Sequence, residues 1–250
     1  MRVFLMLWLC VACGTDPWMR DDRVEGRTEV VVMGNLHGRH LVDDDFPFEA
    51  LRAQIERARP DVILAEVPPV LFEEVRDAVR DEHAAVSDDT RAWMTSFPEL
   101  VHAVFPAAAT LDAKVVPVSG YSSAYARDLR AYRAAYPSGP ADHHVACSEE
   151  HVDRRDDDEG LDPDWLASPS YARLHAWRDR CEQTHVGEAM GEAAPRLRDA
   201  RHVARVVRAV EENRGRRIVV VFDARRRWVL EQALRDLPEV TLLDPRAFVD

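Results

Sequence analysis

The chain has 250 residues, 46% of them hydrophobic, with 45 acidic against 33 basic side chains and a net charge of −12. That length and apolar content suit a single α/β domain. The acidic balance excludes an electrostatic grip on nucleic acid, which needs a concentrated basic face, whereas these arginines are scattered among more numerous acids.

The N-terminus reads apart from the rest. Met1-Arg2 leads into Val3-Phe4-Leu5-Met6-Leu7-Trp8-Leu9 and then Cys10-Val11-Ala12-Cys13-Gly14. A basic start, a brief apolar core and small residues at the end predict a secretory signal over residues 1–12, too short to span a bilayer as a permanent helix. Leu9-Cys10-Val11-Ala12-Cys13 also resembles a bacterial lipobox, in which cleavage leaves Cys13 to be lipidated; an ordinary cleaved signal is the plainer alternative. Residues 13–27 would then be a polar, lipidated tether. An exported protein anchored at the bacterial cell envelope, with the membrane as partner through its lipid, is the expectation.

Elements follow in order. Val30-Val31-Val32-Met33 is an apolar strand running into Gly34-Asn35-Leu36-His37. Residues 38–47 read as an acidic, solvent-facing loop. Phe48, Leu51, Ile55 and Ala58 recur at helical spacing, and Pro60 ends that helix before a second strand, Val62-Ile63-Leu64-Ala65, which closes on Glu66. Residues 70–80 predict an amphipathic helix, and residues 93–111 a helix interrupted near Pro98 and Pro106. Lys114 to Val118 is a short strand, and residues 121–136 are helical in pattern. A polar insertion spans 138–163, with Arg154-Arg155-Asp156-Asp157-Asp158-Glu159 as a solvated charge run. Tyr171, Leu174, Trp177 and Cys181 share a helical face, a long helix covers 196–213, and Arg217 to Phe222 is the third strong strand. A helix at 228–234 and a strand at 240–243 complete the chain. Alternating strands and helices predict an α/β fold with a mostly parallel central sheet and helices on both faces, as one domain over 28–250. Neither a G-x-G-x-x-G loop nor a Walker-type sequence occurs, so nucleotide binding has no positive support.

In an oxidising compartment Cys147 and Cys181 are candidates for a disulfide, worth roughly 3–4 kcal/mol by the chain-entropy relation. A structural metal cluster from His143, His144, Cys147 and His151 is the other reading of that segment.

Open parallel sheets bind ligands beyond the carboxyl ends of their strands, so His37 and Glu66 are expected to share a site. An imidazole and a carboxylate there can hold a divalent metal or act as a general acid and base. Glycine at position 34 would let the chain turn tightly and aim His37 back over the sheet edge. An acid closing an apolar strand is costly to bury without a partner, which strengthens the pairing. His40, His102, His175, His185 and His202 have no evident partners in sequence.

Gly34-x-x-His37, Arg59-Pro60-Asp61-Val62-Ile63-Leu64-Ala65-Glu66, Leu197-Arg198-Asp199 and the turn from Phe222 to Arg226 together resemble the TraB/GumN and Tiki-like superfamily, which is related to the ChaN-like haem-binding lipoproteins. The resemblance implies an α/β fold and, for Tiki-like members, metal-dependent peptide hydrolysis through two G-x-x-H elements and a glutamate. His37 matches the first histidine and Glu66 the acid, as catalytic residues and as ligands for a divalent ion such as Mn, Co or Zn. The second element is replaced by Asp223-Ala224-Arg225-Arg226. Arginine cannot stand in for a neutral imidazole, so Asp223 is the candidate third ligand, and Arg226 and Arg198 are candidates for holding a ligand's carboxylate or phosphate. Arg198 could equally brace Glu66 or lie on a helix surface, and the arginines of the turn could merely be solvated. The resemblance thus leaves a metal-dependent hydrolase of peptides or small molecules, a catalytically degenerate relative, or a non-catalytic binding lipoprotein with haem as ligand near Tyr121.

Overall fold

Runs rich in valine and isoleucine become the sheet. A computed structural model describes residues 26–41, 44–81, 83–137 and 161–249. Its strands are β1 (Thr28–Asn35), β2 (Val62–Ala65), β3 (Lys114–Pro117), β4 (Arg217–Asp223) and β5 (Val240–Leu243). They lie in the order β3-β2-β4-β1-β5, and every pairing is parallel. The interior strands read as unbroken apolar runs because both of their faces are covered.

Two cores result. Val31, Met33, Ile63 and Val219 face helix α1 (Phe48–Ala58) and the segment around Leu100 and Ala107. Val30, Val32, Leu64, Ile218 and Val220 face a long helix and a late one carrying Val206, Val210, Leu230 and Leu234. Each fully buried aliphatic side chain contributes about 1.5–3 kcal/mol, so these alternating faces hold the sheet. The architecture is the expected α/β fold.

The other helices are α2 (Phe72–Arg80), α3 (Asp88–Ser96), α4 (Phe105–Leu111), α5 (Ser123–Ala135), α6 (Pro163–Leu166), α7 (Pro169–Met190), α8 (Pro195–Glu212) and α9 (Arg227–Arg235). The segment expected as one interrupted helix over 93–111 is three pieces. Ser87 starts α3 by accepting the Thr90 N–H at 3.3 Å, an N-cap that satisfies an otherwise orphaned donor. A π-helical turn, Leu100–Val104, then joins α3 to α4, closed by the Phe105 N–H on the Leu100 carbonyl. Pro106, which has no N–H to give, follows directly.

Two expectations are corrected. Residues 38–47 are not simply a solvated loop: His37–Leu41 forms a 3-10 turn, and His40 and Phe46 are buried. His40 Nε2 accepts the Leu36 N–H at 2.9 Å and Nδ1 donates to the Phe46 carbonyl at 2.5 Å, so one neutral ring closes the loop. On α7, Trp177 is exposed while Tyr171, His175 and Arg178 are buried. The helix turns a partly charged face inward, against the apolar register read from sequence.

Cys181 on α7 is disulfide-bonded, and Cys147 lies outside the described residues. So do Cys13, the signal and nearly all of the tether, the cluster His143, His144 and His151, and the insertion up to residue 160. Among the described residues no helix is long and apolar enough to cross a membrane.

Candidate functional site

Strand register assembles the site. Asn35 on β1 pairs with Asp223 on β4, and Ala65 on β2 pairs with Val221. His37, Glu66 and Asp223 therefore leave three adjacent strands at one edge of the sheet. His37 Nε2 stands 3.8 Å from Glu66 Oε2 and 3.8 Å from Asp223 Oδ2.

The turn that delivers His37 differs from the expected one. Gly34 remains within β1, and a Cβ there would come within 2.7 Å of the Ala224 Cβ, so the glycine permits close approach of the turn after β4. The left-handed backbone falls on His37 itself, at φ 50°. Such a conformation is strained for a side-chain-bearing residue, although histidine is among those enriched there. Asn35 holds it by accepting the His37 N–H on Oδ1 at 3.0 Å.

A residue that the sequence reading missed completes the site. Glu99, in the bend between α3 and the π-helical turn, places Oε1 2.8 Å from His37 Nδ1 and is only 1% exposed. Its neighbours Phe97, Pro98 and Leu100 gave the only hint, an acid set inside an apolar run. Phe97 packs edge-on against the imidazole, with ring centroids 4.4 Å apart.

Charge is concentrated here. Burial is the largest influence on His37 and disfavours its cation, but Glu99 foremost, then Glu66 and Asp223, outweigh it and raise the pKa to about 9. Burial pushes Glu66 up to about 7, with His37 opposing and Asp223 reinforcing. Glu66 is 2% exposed; Oε2 accepts the Asp223 N–H at 3.0 Å, and Oε1 has no hydrogen-bond partner. Asp223 is held well below the usual carboxylate range against its burial, chiefly by Arg225.

The arginines are not a solvated turn. Arg225 Nε lies 3.0 Å from each Asp223 oxygen, and Nη2 lies 2.8 Å from Oδ2. Arg226, buried, contacts Asp179 Oδ2 at 3.1 Å and Asp199 Oδ1 at 3.2 Å. Arg198 does not brace Glu66 and is not a surface charge: its Nε donates to Asp199 at 3.1 Å, and it is 9% exposed. Arg226 and Arg198 thus form one ion network with α7.

A cavity of about 680 Å³ opens in front of these groups, lined by His37, Phe97, Asp223 and Arg225 on one side and by Tyr121, Tyr125 and Tyr132 on another. His37 and Asp223 reach it directly. Stacked and edge-on rings, Phe97 on Trp93 and Trp93 on Tyr121, carry the wall away from the imidazole.

Toward the divalent ion that the resemblance implies, the donor set is uneven. Glu99 behind His37 Nδ1 is the support a metal-bound histidine ordinarily has, and Glu66 Oε1 is unclaimed. Asp223 fits poorly, because Arg225 covers both its oxygens and sets a fixed positive charge beside the third corner. A catalytic zinc uses three protein ligands. Among the described residues no group of three His, Cys, Asp or Glu is disposed to hold a metal ion, so the residues present do not make up the full metal site.

Comparison with protein-family models, with curated proteins and with solved structures found no match to this chain.

Proposed function

We propose that the chain is an exported lipoprotein that hydrolyses an amide or ester of a small molecule or peptide at the strand-end site, as its resemblance to the TraB/GumN and Tiki-like superfamily implies. The observation that carries the reading is the gap between His37 Nε2 and Glu66 Oε2, 3.8 Å wide and beside a cavity. That spacing is too long for a direct hydrogen bond and wide enough for a water or a substrate oxygen to bridge the two.

Glu99 fixes the ring through Nδ1 and favours its charged form, leaving Nε2 to donate a proton to the leaving group. Glu66, whose Oε2 faces that gap, accepts the proton of the attacking water. Asp223 and Arg225 act as a pair that holds Nε2 in place and leaves cationic character near the developing oxyanion.

Hydrolysis of 4-nitrophenyl esters and of aminoacyl 4-nitroanilides, without and with added Mn, Co or Zn, tests the reading. Turnover that falls at least 100-fold in kcat/KM in Glu66→Gln and His37→Ala supports it, a loss of about 2.7 kcal/mol of transition-state stabilisation. Turnover equal in both variants, or none under any condition, overturns it. Ion uptake that His37→Ala removes would bring back the metal-dependent form.

One observation favours a binding role instead: the cationic Arg226 stands where the superfamily has its second histidine, while Tyr121 lines the same cavity as His37. A haem-binding lipoprotein of the ChaN-like type would show a Soret band on titration that weakens in His37→Ala or Tyr121→Phe.

A further inference from the structure

The cavity has two walls of different chemistry. Tyr125, Leu129, Tyr132 and Tyr136 recur at intervals of four, three and four along α5 and beyond its end, so they share one helical face, and all four line the cavity. Facing them are Arg178 from α7 and Arg198 from α8.

These two guanidinium groups are buried and underused. Arg178 is 3% exposed and makes one hydrogen bond, from Nη2 to Asp179 Oδ1 at 3.1 Å; its Nε is unpaired, 3.8 Å from Glu182. Arg198 makes one, from Nε to Asp199, and its Nη2 is unpaired, 3.8 Å from Asp179. Buried donors are nearly always satisfied, and each exception calls for a reason. A planar fork with idle N–H groups is suited to a carboxylate or phosphate. Arg133, exposed at the cavity rim, makes no ion pair with a described residue and extends the positive field outward.

We infer that the cavity takes a small ring-bearing ligand with one carboxylate or phosphate group, the anion held by Arg178 and Arg198 and the ring lying on the tyrosine face of α5. Tyrosines offer a rigid apolar surface with polar tips, suited to stacking an aromatic or sugar ring. Glu182, whose pKa burial raises, sits beside Arg178 and yields its long contact there when the anion arrives. The inference rests on the hydrolase reading only for the place of the reacting bond, which would lie toward His37.

The test titrates the purified chain with benzoate, phenyl phosphate, inorganic phosphate and phenol, read by intrinsic fluorescence and by thermal shift. Benzoate or phenyl phosphate should bind at least tenfold more tightly than either phenol or inorganic phosphate, and the tighter of the two names the anion. Arg198→Gln should weaken that binding at least tenfold. Tyr125→Leu, which touches no ion pair, should weaken the ring-bearing anions and leave inorganic phosphate unchanged, so the inference stays open to refutation if Arg198→Gln does not fold. Phenol binding as tightly as benzoate, wild-type affinity in Tyr125→Leu or in folded Arg198→Gln, or no binding by any probe overturns it. Binding without ester turnover removes the hydrolase reading and leaves this one standing; turnover of neutral esters with no anion preference does the reverse.

Discussion

The two ends of the central sheet both bury charge and treat it in opposite ways. At the amino end of β4, Arg217 donates from Nε to Glu29 at 2.7 Å, its backbone N–H reaches Asp61 Oδ2 at 2.8 Å, and Nη1 reaches the Ala58 carbonyl at 3.4 Å. No buried side-chain atom of Glu29, Asp61 or Arg217 is left without a partner. At the carboxyl end, Glu66 and Glu99 each keep an oxygen unpaired, and so does the Asn35 amide nitrogen. Charge that is fully answered can only brace; charge held with lone pairs to spare can take part in chemistry. The fold therefore separates a fully paired edge from an edge with unpaired acids, the one proposed to carry the chemistry, along the same strands.

Breaking the structural edge should have the largest effect on stability. Arg217→Met removes the guanidinium that pairs with buried Glu29, and loss of one member of a buried pair costs about 3–5 kcal/mol. Chemical denaturation should show that loss; a change below 1 kcal/mol would mean the amino edge is not a brace. Gly34→Ala should follow. The new methyl would meet Ala224 Cβ at 2.7 Å and the Ala224 Cα of the backbone at 2.9 Å, so overpacking should cost about 1–3 kcal/mol. It would also shift the turn bearing Asp223, with ester turnover falling alongside stability.

Much of the carboxyl edge was legible because of what parallel sheets demand. Strands buried on both faces must be continuous apolar runs, so β1, β2 and β4 stood out, and an acid such as Glu66 directly after one marked the edge. Position after a strand likewise marked His37 and Asp223. Glu99 was not legible, since its partner His37 lies 62 residues away and nothing local distinguishes it from a helix-start acid. The ion network around Asp179 was missed for a related reason. Arginine and aspartate on a helix have the same sequence signature whether they face water or one another, and only the packing of α7 against α8 and the turn after β4 decides. For that reason sequence alone left a solvated position open for Arg198 and Arg226 beside the ligand-binding one, and both are buried. Gly34 was rightly singled out, but for a turn rather than for the close approach that its missing side chain permits.

A pH scan sharpens the contrast between answered and unanswered groups. His202 on α8 is fully buried between the rings of Tyr121 and Phe222 and accepts the Gly120 N–H on Nδ1 at 2.9 Å. Burial first, then Arg226 and Arg198, hold its pKa well below the ordinary 6.5, with Arg201 adding to them and Asp223 opposing. The unfolded chain takes up a proton below pH 6.5 that the folded chain refuses. Stability from this residue is therefore fully present above pH 6.5 and declines as pH falls, by up to about 1.4 kcal/mol per pH unit. Thermal melts of His202→Gln, whose amide oxygen can accept from Gly120, should show a flatter acid limb than the wild type.

The smallest expected effect on stability is the most telling. Glu66→Gln removes a charge as deeply buried as Glu29, but the amide oxygen can still accept the Asp223 N–H, and the second oxygen had no partner to lose. With its pKa raised to about 7 by burial, the folded state holds a proton on Glu66 that the unfolded chain has released, between the ordinary 4.5 and that value. The group's contribution thus falls as pH rises through that window, and above it the ionised carboxylate weighs against folding. At pH 8 the variant should be at least as stable as the wild type, while Arg217→Met is far less so. A large loss of stability in Glu66→Gln would place Glu66 with the structural charges of the amino edge and remove the reason for assigning it chemistry.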